Sequence, residues 1–107
     1  VTLGPGLFES VYEEILFYEL NQKGLRVSRQ QTIPVMWKGV PMGSGFRSDL
    51  IVENLVLIEL KSVSTVAPVH FKQLLTYLKL TGIKLGLLIN FNEALIKNGI
   101  TRVVNDL

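Results

Sequence analysis

The sequence predicts an α/β fold, a mixed sheet flanked by helices. Three observations point to it. Residues 7–23 and 69–81 carry apolar side chains at helical spacing. Between and after them lie runs that either alternate like half-buried strands or are continuously apolar like buried ones. The chain of 107 residues is 48% apolar and 19% charged, with mean hydropathy +0.35, which is rich enough for one compact core and too rich for disorder.

Residues 7–23, LFESVYEEILFYELNQK, make the first helix. Leu7, Phe8, Val11, Tyr12, Ile15, Leu16 and Leu20 form its broad apolar arc. Gly4-Pro5-Gly6 is a turn before it, and Gly24 is a natural stop. Residues 25–31 and 33–38 read as two strands, with a turn starting at Lys38-Gly39. Residues 46–52 and 55–63 read as a hairpin around Glu53-Asn54. A second helix, residues 69–81, follows Pro68 and is closed by Gly82. Residues 84–91, KLGLLINF, are a buried strand, and Ile100 to Val104 add a short last one. The expected order is α-β-β-β-β-α-β.

Composition removes several function classes. With no cysteine there is no disulfide framework, thiolate zinc site or cysteine nucleophile. That absence fits a reducing cytoplasm, the expected location. No apolar run approaches the length of a membrane span, so no membrane partner is expected. Net charge is +2 and the pI about 9.1, compatible with nucleic acid as a partner and equally with an ordinary slightly basic domain. The chain starts at Val1 rather than Met, so an N-terminal piece is expected to be missing.

The chemistry concentrates in VLIELKSV, residues 56–63. In a strand, residues two apart share a face, so Glu59 and Lys61 project beside Leu57. Two registers of the hairpin are open. A two-residue turn pairs Val52 with Leu55, sets Asp49 opposite Ile58 and sends Glu59 to the other face. A three-residue loop, Glu53-Asn54-Leu55, or a one-residue bulge pairs Val52 with Val56. Asp49 then lies opposite Glu59, and Arg47 opposite Lys61. Asn54 tolerates the left-handed backbone such a loop needs. Opposed like charges destabilise a sheet, so facing carboxylates ask for a cation, and Mg²⁺ is held by one or two carboxylates plus waters and phosphates. The plainer account is that Glu59 and Lys61 are partly exposed and neutralise Arg47 and one another.

Other residues have a site reading and a plain one. Glu9 borders the buried face of the first helix, as a site carboxylate or as a solvated edge residue. Gln73 and Tyr77, four apart, share a face of the second helix. His70 lies on the same stripe, as a ligand or as a helix-end side chain with a local hydrogen bond. Lys72, Lys79 and Lys84 make a phosphate-facing patch or a solvated face.

SDLIVENLVLIELKSV resembles the D…(D/E)-x-K core of the PD-(D/E)XK nuclease superfamily, here Asp49…Glu59-Leu60-Lys61. QLLTY resembles the Q-x-x-x-Y motif of its RecB-like branch, here Gln73 and Tyr77. GPGLFESVYEE, with Gly6-x-x-Glu9-x-x-Tyr12, looks like the signature of the bacterial GxxExxY family, and LTYLKLTG and GLLINFN also look like that family. The resemblance spans nearly the whole chain. It departs in having Ser48 where the eponymous proline would stand, and in starting late, since the family usually extends further upstream.

The resemblance implies a restriction-endonuclease-like αβββαβ core and Mg²⁺-dependent phosphodiester hydrolysis, with Mn²⁺ able to substitute. It implies Asp49, Glu59 and the Leu60 carbonyl as metal ligands, with Glu9 completing the site directly or through water. Lys61 would orient or activate water, and Gln73 and Tyr77 would position Lys61 or the substrate strand. The expected partner is nucleic acid, most simply DNA, and a homodimer if the substrate is duplex, with contact supplied by residues such as Ile100 to Val104. The alternatives are a nucleic-acid- or protein-binding module on the same fold without turnover, and a toxin-like or repair component that acts only with a partner.

Overall fold

The computed structural model describes residues 9–43, 45–92 and 96–106. Helix α1 (Glu9–Gln22) is followed by strand β1 (Val27–Ile33), a small ribbon of β2 (Met36–Trp37) and β3 (Val40–Pro41), and the hairpin of β4 (Phe46–Val52) and β5 (Val56–Lys61). Helix α2 (Pro68–Thr81), β6 (Leu85–Asn90), a 3₁₀ turn (Ile96–Gly99) and β7 (Ile100–Val104) complete it. The main sheet runs β1-β4-β5-β6-β7, with β5 and β6 parallel and the other pairs antiparallel. Parallel neighbours cannot be joined by a tight turn, and α2 is the crossover that joins them.

Both faces of the sheet are covered. On one, Tyr12, Leu16, Phe17 and Leu20 of α1 pack over Leu50, Val52, Ile58 and Leu60. On the other, Leu74 and Leu78 of α2 pack over Ile51, Leu57 and Leu88. This double burial is why β5 and β6 read as continuous apolar runs. Tyr12 stacks on Phe91, 4.0 Å between ring centroids, and ties α1 to the end of β6. Among the described residues no helix is long and apolar enough to cross a membrane.

The hairpin takes the register that opposes Asp49 and Glu59. Glu53 and Asn54 are both left-handed, at φ 53° and 55°. The Leu55 N–H closes the turn on the Val52 carbonyl at 2.9 Å, and Leu55 then stands out as the extra residue. Val52 pairs with Val56, Ile51 with Leu57 and Leu50 with Ile58.

The expected strands at 25–31 and 33–38 are replaced by one strand, 27–33, and a separate ribbon. The physical reason is Pro34. It has no N–H to continue the ladder, and its ring restricts Ile33. The chain leaves the sheet there, and the Met42 N–H bonds the Val35 carbonyl to close the ribbon at 2.8 Å. The second helix begins on Pro68 rather than after it, the first-turn position where a missing N–H costs nothing. Leu7, Phe8 and the Gly4-Pro5-Gly6 turn lie outside the described residues.

Candidate active site

The sheet is interrupted where the two carboxylates meet. The β4–β5 pairing ends at Leu50 and Ile58. The β1–β4 pairing holds from Val27 to Arg29 and from Gln31 to Ile33, but skips Gln30 and Asp49. Gln30 sits at φ 49°, a left-handed conformation uncommon for a side-chain-bearing residue inside a strand. The alternation slips there too. Leu50 and Val52 face α1, yet Phe46, of the same parity, packs with the α2-side cluster.

Asp49 fills the gap. Its Oδ2 accepts the Leu60 N–H at 2.7 Å, and its Oδ1 accepts the Gln30 Nε2 at 3.4 Å. A side chain thus takes a strand donor that β4 backbone no longer reaches. In an extended strand a residue's N–H and C=O share an edge, so the Leu60 carbonyl opens toward the same gap.

Glu59 lies against Asp49. Its carboxyl is pushed up from 4.5 to about 8, first by burial and then by the Asp49 charge and a hydrogen bond shared with the Asp49 carboxyl, with Lys61 and the Asp49 backbone N–H pulling weakly the other way. Glu59 Oε1 is buried and has no hydrogen-bond partner among the described residues. The ion pairs among the described residues are Arg26 with Glu53 and Arg29 with Glu13, and Glu59 takes part in neither. Glu59 and Lys61 are both half-buried, and Lys61 acts on Glu59 as a nearby charge without forming an ion pair with it. Arg47 pairs with Thr32 on β1 and is exposed, while Lys61 pairs with Asn90 on β6.

Helix α2 closes this side. Tyr77 stacks on Phe46 with ring centroids 3.6 Å apart. Its phenol is raised above the ordinary value by burial first and then by the charges of Glu59 and Asp49, while a hydrogen bond with Gln73 acts the other way. Gln73 and Tyr77 are thus joined to each other and set beside the carboxylates. His70 takes its plain role, its Nδ1 accepting the Ala67 N–H at 3.2 Å at the start of its own helix. Lys72, Lys79 and Lys84 are exposed.

On the α1 side two carboxylates border the gap. Glu9 Oε1 accepts the Ser62 N–H at 3.2 Å, just past Lys61. Glu9 lines one cavity with Asp49 and Leu60, although among the described residues no three His, Cys, Asp or Glu side chains are grouped to hold a metal. The helix carries Glu9 to the end of β5, where it borders the cavity beside Asp49. The carboxylate that reaches inward is Glu13, one turn on and 6% exposed. It bonds Arg29 at 3.1 Å and also accepts from Gln30, whose amide therefore bridges Glu13 to Asp49. Arg29 in turn lies 4.9 Å over the Phe17 ring. Glu9, Ser10, Glu13, Gln30, Asp49 and Leu60 line a cavity of about 180 Å³.

Sequence reasoning missed Glu13, Gln30 and Asn90. Glu13 carried a signal, since it lies four residues after Glu9 on the same face. Gln30 carried none, because a left-handed strand residue has no sequence signature when it is not Gly or Asn. Asn90 ends an apolar strand, is 2% exposed, and bonds both the Val63 N–H and the Val63 carbonyl, at 3.1 and 2.9 Å. It fixes the chain as it leaves Lys61.

A hard divalent cation fits this donor set. Two carboxylates face one another, a strand carbonyl opens beside them, and a buried carboxylate oxygen has no partner.

Residues 1–103 match the family model of the PD-(D/E)XK nuclease superfamily. The fold is similar to the crystal structure of an alkaline exonuclease, LHK-Exo, from Laribacter hongkongensis, with a TM-score of 0.61 and 18% identity over 91% of this chain. The chain spans 56% of that exonuclease, and at this identity the likeness is one of fold. No curated protein matches the sequence.

Proposed function

Because this chain belongs to the PD-(D/E)XK nuclease superfamily, we propose that it is a metal-dependent nuclease that hydrolyses phosphodiester bonds, with DNA as its substrate. The observation that carries the reading is the buried, partnerless Glu59 Oε1 set against Asp49. Asp49, Glu59 and the Leu60 carbonyl would hold Mg²⁺, with Mn²⁺ able to replace it, and Glu9 would act from the end of β5 through water. The cation supplies a water of lowered pKa and neutralises phosphate oxygens. Lys61 places an ammonium beside the carboxylates, where it stabilises negative charge that builds on the phosphate. Gln73 and Tyr77 fix the approach of the substrate strand. Gln30 and Glu13 hold Asp49 in the gap, so its carboxylate is oriented before the substrate arrives.

The Gly6-x-x-Glu9-x-x-Tyr12 pattern supports placement in the bacterial GxxExxY group, with Tyr12 anchoring the helix that delivers Glu9. The lack of cysteine supports a cytoplasmic location. Ile100 and Val104, exposed on edge strand β7, support a homodimer acting on duplex DNA.

Plasmid, single-stranded DNA and RNA incubated with Mg²⁺ or Mn²⁺ test the reading beside Lys61→Ala. DNA cleavage is expected, falling roughly a hundredfold or more in the variant, the scale of losing one preorganised charge-stabilising group. Binding to these nucleic acids with no cleavage under either metal would overturn it in favour of a binding module.

A further inference from the structure

The β2–β3 ribbon is unexplained by the site. Trp37 is 64% exposed, and Val40, Met36 and Met42 are 53%, 51% and 43% exposed. Trp37 and Val40 are directly opposed and share a face, and Met36 opposes Pro41. A two-stranded ribbon with bare faces is marginal by itself in water. This one is held at its root. The Met42 N–H bonds Val35 O, and Gly45, at φ 68°, lies so close to Ile33 and Pro34 that a Cβ would fall on the Ile33 carbonyl oxygen.

Its position and charge identify what it meets. The residue after Gly45 is Phe46, which stacks on Tyr77, whose phenol feels Glu59 and Asp49. The root therefore joins the site through two stacked rings, and Asp49 lies three residues along β4, roughly 10 Å at the rise of a strand. No Asp or Glu occurs between Glu19 and Asp49, whereas Lys23, Arg26, Arg29, Lys38 and Arg47 all do. Arg26 and Arg29 are engaged by Glu53 and Glu13, and neither Lys38 nor Arg47 is in an ion pair among the described residues. Lys38 and Gly39 are both left-handed, the backbone of a tight hairpin turn, so the ribbon ends in a lysine. The Lys38 Nζ stands 5.9 Å from the Trp37 ring. An exposed aromatic platform flanked by unpaired cations is how proteins take single strands, whose bases present open faces that a duplex does not.

We propose that the β2–β3 ribbon is a stacking arm for unpaired bases beside the cleavage site, with Trp37 as the platform and Lys38 and Arg47 on the adjoining phosphates. This rests on the nuclease reading for its substrate class, but not on turnover. Trp37 is the chain's single tryptophan, so its emission reports the arm alone. The experiment titrates the full chain in EDTA with oligothymidylate, then with the same strand in duplex with oligodeoxyadenylate. Binding is followed independently by anisotropy of a labelled strand.

The single strand should quench Trp37, more than the duplex does, with an affinity that falls as salt rises. Trp37→Ala should weaken single-strand binding ~10-fold, the scale of one lost base stack, and Trp37→Phe should restore much of it. If Trp37→Ala does not fold, the wild-type quench and Trp37→Phe still decide. Binding that leaves Trp37 emission unchanged would overturn the proposal. So would an emission shift that follows protein concentration alone with a rise in mass, which would make the ribbon a contact between copies. Quenching without cleavage in Mg²⁺ would keep the arm and sink the nuclease reading; cleavage without quenching would do the reverse.

Discussion

Glu59 is where the site's demands and the fold's stability conflict. In an unfolded chain it ionises near 4.5, whereas in the fold it keeps its proton up to about 8. Between those values the folded state holds one more proton than the unfolded state, so stability falls as pH rises, by up to about 1.4 kcal/mol per pH unit for one group. The contribution is fully present below 4.5 and is lost as pH passes through about 8. In EDTA, melting temperature should therefore decline across that window. Glu59→Gln, which keeps a donor toward Asp49 and cannot ionise, should flatten the decline; parallel slopes in the two proteins would show that Glu59 is not its source. Asp49→Asn acts on the same pair from the other side. An asparagine oxygen still accepts the Leu60 N–H, and the like charge beside Glu59 is gone. In EDTA at pH 8 this variant should melt no lower than wild type. Wild type should gain stability in Mg²⁺, about 2.7 kcal/mol at a hundred times Kd, and the variant should not. A wild-type melt indifferent to Mg²⁺, with Asp49→Asn less stable in EDTA, would remove the metal site built on these carboxylates.

At the scale of elements, the hairpin was legible because loop chemistry and strand pattern agree. Glu53 and Asn54 turn the chain, Leu55 is the extra residue, and register then follows from a period of two. Helix α2, β6 and β7 were legible from spacing and their Gly and Pro boundaries. Strand β1 was legible but with its bounds two residues early, read as 25–31 against Val27–Ile33, because its middle, Ser28 to Thr32, is polar and exposed on an edge and offers no apolar period to fix its ends. The slip at Gln30 was not legible, since the bonds that hold it come from Glu13 and Asp49, distant in sequence. The ribbon's root shows how local chemistry sets such an element. Gly39 and Gly45 are both left-handed, but space is open around Gly39 and absent at Gly45. Gly39→Ala should lower stability by about 1 kcal/mol, the left-handed penalty alone. Gly45→Ala adds a collision with the β1 backbone and should cost more than about 2 kcal/mol, with Trp37 emission altered as the ribbon shifts. Urea melts of the two variants compare them, and equal losses would mean that the root is not pinned at Gly45.

For the whole molecule, the proposed duplex substrate would require one site to serve two strands. The helices seal both faces of the sheet, which leaves β1 and β7 as its edges. An open edge with apolar side chains invites a second copy, and β7 has Ile100 at 43% and Val104 at 44% exposure. Closed pairing of identical chains takes a two-fold axis, which would give two sites and so a cut in each strand. Charge works against the contact, because an axis through the middle of β7 sets Arg102 against its own copy, and opposed like charges destabilise a sheet. Salt screens that repulsion, so association should tighten as ionic strength rises, the opposite of what nucleic-acid binding does. The net charge of +2 on each copy adds a repulsion that salt screens in the same direction. Sedimentation should then give roughly twice the 12.0 kDa of one chain, more completely at high salt. Ile100→Lys combined with Val104→Lys should return the monomer, retain cutting of single strands, and nick plasmid where wild type linearises it. A wild-type protein that sediments as a monomer at every salt concentration, yet linearises plasmid without accumulating nicked circles, would show that both strands are cut without a second copy at β7.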